Sequence, residues 1–207
     1  MKLILALVLA AAAGPAFAAD ATLVKISGRV LIRPGGAEKD LVAKGGEELL
    51  YGDAIRTESG ALAQVDLGGR GAVLLRENSA FLLQGDPTRT TLRFQFGEFL
   101  IGLTRALAKD ESFRVRTPAA VAAVRGTLFW GQSDEKKTTT YAGFGHVIAV
   151  TAKGKTVLVG PGEKTTVALD AAPAEPVQSG IPVAYLDNFK IGGSLQGLES
   201  LVELPQK

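Results

Sequence analysis

The chain has 207 residues, 46% hydrophobic and 21% charged, with 25 Gly, 9 Pro, one Trp, one His and no Cys. That is enough chain for one sizeable core, and the apolar content excludes a wholly disordered polymer. The lack of Cys excludes disulfides, thiol catalysis, thiolate metal sites and lipid attachment at Cys, and a formal net charge of +2 gives no push toward nucleic acid.

Lys2 opens the chain, and residues 3–13 form an unbroken apolar run. Gly14 and Pro15 break it, and Ala16-Phe17-Ala18 places small residues at the two positions a signal peptidase reads. Residues 1–19 are therefore expected to be a cleaved secretory signal peptide. The run is shorter than the ~20 residues a membrane helix needs. Charges interrupt every later apolar run. The mature chain is thus expected to be periplasmic or secreted, with no transmembrane span after signal cleavage.

Residues 20–170 read as one β domain. Apolar residues recur with period two at Ala61, Ala63, Val65 and Leu67, then at Leu92, Phe94 and Phe96. Phe113, Val115 and Thr117 follow, then Val147, Ala149 and Thr151, then Val157 and Val159. Alternation puts these side chains on the inner face of strands. Residues 97–112 fit either a strand or one helical turn. Gly-Gly pairs at 35–36, 45–46 and 68–69 mark turns, as does Pro161-Gly162. Lys153-Gly154-Lys155 reads as a tight hairpin-like turn. Short strands parted by turns point to an all-β sandwich, barrel or solenoid. Residues 171–180 are a Pro/Ala linker, and residues 181–207 hold a short apolar segment. There Ser194 is placed to cap a short helix with Leu195, Leu198, Leu201 and Val202 on one face. Residues 181–204 are expected to fold back onto the β body or dock on a partner.

Few residues carry the signature of chemistry. His146 has no recognisable nucleophile or orienting carboxylate, and reads as a solvent-facing residue at a strand start. In Gly160-Pro161-Gly162-Glu163-Lys164-Thr165 the spacing is wrong for a phosphate loop, and Glu163 would repel phosphate. Gly69-Arg70-Gly71 has no helix after it to hold an anion. The carboxylate pairs Glu47-Glu48 and Asp110-Glu111 read as solvated. No metal or other cofactor is expected, and Trp130 reads as a core or edge aromatic. Arg93, Arg114 and Arg116 point outward if Phe94, Phe113 and Val115 point inward, and could form a basic stripe facing an anionic glycan or polymer.

A longer pattern runs through Gly28-Arg29-Val30, Gly52-Asp53-Ala54-Ile55-Arg56-Thr57, residues 60–67, residues 73–79 and residues 92–98. It ends in the segment 113–127, with Val115-Arg116-Thr117-Pro118 and Val124-Arg125-Gly126-Thr127. This order resembles the FecR-type periplasmic domain, whose hallmark is a V-x-T-P … V-x-G-T stretch. The resemblance implies an all-β body with short strands in a solenoid-like or roll-like arrangement. In the best-known members the domain follows a cytoplasmic sigma-regulating segment and one membrane helix, and relays occupancy of an outer-membrane iron-siderophore receptor. This sequence differs, with a signal-type leader in place of the cytoplasmic segment and no secretin-like module evident after Asp170. The resemblance carries no catalytic residues over. Thr117, Pro118, Gly126 and Thr127 read as architectural: Pro118 ends a strand, and Gly126 permits a close approach.

The sequence therefore points to an exported, non-enzymatic binding or scaffold module of the cell envelope, with a part in envelope signalling. Its expected partner is an envelope protein or glycan, not nucleic acid. The alternative is a glycan- or peptidoglycan-associated enzyme, which needs a convergent acid–base pair.

Overall fold

The computed structural model describes residues 19–134, 136, 139–179 and 183–190. The expected signal peptide, up to residue 18, and the helix expected from Ser194 lie outside the described residues. The described chain is all-β, as the sequence indicates. It alternates between two sheets, I and II. In chain order β1 (Ala21–Ser27) lies in sheet I, β2 (Val30–Arg33) and β3 (Leu41–Val42) in II, β4 (Glu47–Leu49) in I and β5 (Ala54–Thr57) in II. Then β6 (Leu62–Asp66) and β7 (Gly71–Leu75) return to I, and β8 (Ser79–Gly85) to II.

Strand β9 (Arg89–Leu103) belongs to both sheets. Its first half pairs β8 in sheet II, and its second half pairs β7 in sheet I. Beyond it β10 (Ser112–Arg116) and β11 (Val121–Val124) join II, and β12 (Leu128–Ser133) and β13 (Thr139–Gly143) join I. Strands β14 (Ile148–Ala152) and β15 (Lys155–Val159) extend II, and β16 (Glu163–Val167) and β17 (Val177–Gln178) extend I. The spatial orders are β4-β1-β6-β7-β9-β12-β13-β16-β17 and β3-β2-β5-β8-β9-β10-β11-β14-β15. Pairing is antiparallel except at β9–β10. The chain thus passes back and forth between two layers, partly in single strands before β6 and in hairpins from there on.

The inward side chains of both sheets share one buried cluster, which includes Leu23, Val65, Ile101 and Tyr141 from sheet I and Ile55, Leu92, Val115 and Val150 from sheet II. A chain of rings, Phe81–Phe94–Phe99–Phe129, runs through it with centroids 5.3, 4.1 and 6.1 Å apart. Burying each such ring contributes about 1.5–3 kcal/mol.

Sheet I is also covered on its outer face. Leu74, Leu100, Leu128, Trp130, Ala142 and Phe144 form a second cluster with Leu186 and Phe189. The last two come from a 3-10 helix, Val183–Phe189, so part of the segment expected to fold back does lie on the β body. Burial on both faces explains why residues 71–75 and 99–103 are continuous apolar runs without alternation. Residues 171–178 also lie against β16. There Ala174 N donates to Thr166 O at 3.1 Å, and Thr165 Oγ1 donates to Ala174 O at 2.7 Å.

The open choice for residues 97–112 is settled, and two local expectations are corrected. No helical turn forms in residues 97–112, because β9 continues to Leu103 and a loop leads to β10. Phe96 faces outward and is 38% exposed. Ala80 pairs with Phe96 but Phe81 pairs with Phe94, so Gln95 is the extra residue of a bulge and flips the parity after it. Val147 is 49% exposed, and the inward residues of β14 are Ile148, Val150 and Ala152. The partner strand sets this phase: Val150 opposes Val157 and Ile148 opposes Val159, and opposed residues share a face.

Candidate functional site

The outer face of sheet II is uncovered among the described residues, and it carries the predicted basic stripe. Strand β9 and strand β10 run parallel with Arg93 directly beside Arg116. Arg114 lies two residues earlier on the same face, opposite Thr91. Alternation explains the placement, since Phe113 and Val115 are buried beneath while Arg114 and Arg116 are exposed. Among the described residues no carboxylate is ion-paired to Arg93, Arg114 or Arg116. Two like charges side by side on adjacent strands cost stability unless an anion lies between them.

The row continues toward β2. Arg93 opposes Leu82, Leu82 opposes Ala54 and Ala54 opposes Arg33. A groove of about 320 Å³ opens here, lined by Arg33, Asp40, Arg56, Arg93, Gln95 and Phe96 over Ala54 and Ala80. Small outward residues form its floor, and the bulge at Gln95 raises Phe96 as one wall. Asp40 is shared by Arg33 at 2.7 Å and Arg56 at 3.4 Å. The groove therefore holds three cations and one already engaged carboxylate. Sequence reading found the stripe but missed Arg33, Arg56, Asp40, Gln95 and Phe96, because these meet only through the pairing of distant strands.

The hallmark residues serve structure. Thr117 closes the turn after β10: its N donates to Ala120 O at 2.9 Å, and Ala120 N donates to Thr117 Oγ1 at 3.2 Å. Pro118 sits exposed in that turn. Thr117 also joins a buried hydroxyl network, 3.2 Å from Tyr141 Oη and accepting from Thr139 Oγ1 at 2.9 Å. Burial pushes the Tyr141 phenol well above its ordinary value, so it stays a neutral hydrogen-bonding group. A Cβ on Gly126 would come within 3.1 Å of Ala106 Cα, so this position holds the 105–106 loop close. Thr127 Oγ1 donates to His146 O at 3.1 Å. The His146 side chain is exposed beside a cavity of about 180 Å³ that Arg105 and Arg125 also line. Arg105 is committed to Glu111, which it grips through two nitrogens at 2.6 Å each. That grip, with a backbone bond from Ala108, holds the Glu111 carboxyl down at about 2.

The other residues weighed from sequence are accounted for locally. Glu163 Oε2 accepts from Gly160 N at 2.8 Å, which closes a turn. Arg70 donates to Leu67 O, Pro87 O and Thr90 Oγ1. Glu47 accepts from Lys44 N and Gly45 N. Trp130 Nε1 donates to Glu98 Oε1 at 2.9 Å within the outer cluster of sheet I. Among the described residues no group of three or more His, Cys, Asp or Glu could hold a metal ion, and no helix is long and apolar enough to cross a membrane.

These features define a two-layer all-β module with a cationic face. Residues 53–147 match the family model described as FecR protein, so this stretch is similar to a FecR domain. The match takes in Arg93, Arg114, Arg116 and the whole Thr117–Thr127 motif. Two crystal structures of a candidate anti-sigma factor from Parabacteroides distasonis, at 2.50 and 1.65 Å, are similar in fold. Each superposes with a TM-score of 0.54 at 18% identity, over 61% of this chain and 59% of that one. The chain thus spans less than two thirds of the length of the protein it resembles. No curated protein sequence matches.

Proposed function

We propose that this chain is an exported, non-enzymatic FecR module that binds an anionic glycan of the cell envelope and serves envelope signalling. The observation that carries the reading is the Arg93–Arg116 pair, side by side on an open face with no carboxylate paired to it among the described residues, and with Arg114 next to it. The family match and the signal-type leader support the envelope, and the anti-sigma-factor relative supports a signalling role. A sheet face favours a glycan over a peptide: its main-chain groups are spent on neighbouring strands, so an extended peptide would find few partners for its own amides. Arg forks bind carboxylates in two-point fashion, and the exposed Phe96 gives a sugar ring an apolar surface. Binding is favoured over catalysis because a glycosidase needs two carboxyl groups. The groove has only Asp40, already held by two arginines.

The test is retention of the protein in native gels containing polygalacturonate, against gels containing neutral dextran. Retention by the polyanion alone, weakened by salt and lost in an Arg93→Glu/Arg116→Glu variant with unchanged thermal unfolding, is the expected result. Equal migration in both gels would remove the anionic-glycan reading.

A further inference from the structure

We propose that β15 is a docking edge for a second copy of this chain, which extends sheet II across a two-fold axis. Two sheets have four ends. Three are short: β3 and β17 have two residues each, and β4 has three. Short edges resist pairing with other chains. The fourth, β15, has five residues and pairs only β14 among the described strands.

The hairpin fixes which of its groups are free. Lys153 (φ 48°) and Gly154 (φ 74°) form a two-residue turn of the type that matches strand twist. The flanking pair Ala152–Lys155 is then hydrogen-bonded, and so are Val150–Val157 and Ile148–Val159. Thr156 and Leu158 lie at the intervening positions, so their N–H and C=O groups point away from β14. Gly160, next in line, has its N–H committed to Glu163. The free set is therefore two donors and two acceptors, on residues two apart.

That set is self-complementary. In an antiparallel pair centred on Val157, Thr156 of each copy opposes Leu158 of the other, and four main-chain hydrogen bonds form. Val157 faces the core and is undisturbed. Leu158, 63% exposed, gains a diagonal contact with Leu158 of the second copy on the outer face. Charge does not oppose the approach, since Lys153 is paired to Asp170 at 2.8 Å and Lys155 to Glu175 at 2.6 Å within its own chain. The axis keeps both outer faces on one side, so a dimer presents two sets of Arg93, Arg114 and Arg116 to one polyanion. This last consequence rests on the glycan reading, whereas the dimer does not.

Sedimentation equilibrium of the full chain over a concentration series extending into the millimolar range tests it. A reversible monomer–dimer equilibrium is expected. Thr156→Pro removes an outward N–H and leaves the main-chain bonds of the hairpin intact, losing only the exposed Thr151–Thr156 hydroxyl bond, and Leu158→Lys places a charge at the contact. Each should weaken dimerisation by about tenfold or more while far-UV circular dichroism stays unchanged. A wild type that stays monomeric throughout, or a dimer equally tight in folded Leu158→Lys, overturns the proposal whatever the outcome with polygalacturonate.

Discussion

The rings of Phe94 and Phe99 stack with centroids 4.1 Å apart, although they sit five positions apart on one strand. Phe94 faces the core from sheet II and Phe99 faces it from sheet I. The stack is possible because β9 turns a corner between them. At the corner Gly97 has φ 109°, and a Cβ there would lie 2.4 Å from Ser79 Cα. Ser79 Oγ accepts from Glu98 N at 2.9 Å, which fastens the corner to β8.

Gly97→Ala is expected to destabilise the fold by at least the roughly 1–3 kcal/mol that a strained backbone position costs. Phe99→Ala, which empties the centre of the stack, should cost about 3–5 kcal/mol. Urea unfolding monitored by circular dichroism measures both, and a change below experimental error in either would contradict the corner geometry.

Val65 and Asp66 test the assignment of faces. Val65 is fully buried, so Val65→Asp should cost several kcal/mol, on the order of the 2–7 kcal/mol for an unpaired buried polar group. Asp66 is half-buried and accepts from Gly69 N at 3.0 Å. Asp66→Val should lose only about 0.5–1.5 kcal/mol with that bond. Thermal melts of the two variants should separate clearly.

Gln64, between Ala63 and Val65 on β6, is buried, and its Oε1 has no hydrogen-bond partner among the described residues. Gln64→Met keeps the volume and removes the orphan. Stability should rise by about 1 kcal/mol, read from the urea midpoint at constant slope.

Glu111 gives the fold an acid-sensitive latch. Arg105 first, then Ala108 N, lowers its pKa from an ordinary 4.5 to about 2. A lowered folded-state value means the stabilisation is complete above about 4.5 and is lost as pH falls through about 2. The stability difference between wild type and Glu111→Gln should therefore shrink across that window. Carboxyl NMR titration should show Glu111 still ionised at pH values where solvated glutamates are protonated.

His146→Ala should leave both polyanion retention and stability unchanged, because among the described residues only the His146 backbone carbonyl is used, by Thr127. Loss of retention in a folded variant would make the imidazole a binding group.

Strand content was legible in the sequence wherever one face meets water. Arg114, Val115 and Arg116 alternate because one side is solvated, and there spacing alone assigns the faces; on β6 the same spacing places Val65 inward, but the outward Gln64 is buried too. Alternation disappears in residues 71–75 and 99–103, where Leu186 and Phe189 dry the second face from a distant part of the chain. The Gln95 bulge leaves no mark on local pattern, so Phe96 was placed on the wrong side. Val147 was a different failure. The two-residue turn at Lys153-Gly154 already dictates that Val150 opposes Val157, and that signal was present but unused. The basic stripe was visible as spacing, while its meeting with Arg33 and Arg56 depends on strand order across four strands.

Strand β9 stands fifth of nine in both sheets, with four earlier strands on one side and four later strands on the other in each. A ribosome or a translocase delivers the chain N-terminus first. Until Arg89–Leu103 emerges, the first eight strands can assemble only two half-sheets, whose growing edges are β7, five residues long, and β8, seven. Both edges are satisfied together by the same fifteen residues. The second half has no layer to join before that moment, since β10 and β12 each take their first partner from β9. Synthesis of one strand is thus the commitment step for both layers, and an interruption just before Arg89 leaves two open edges exposed at once.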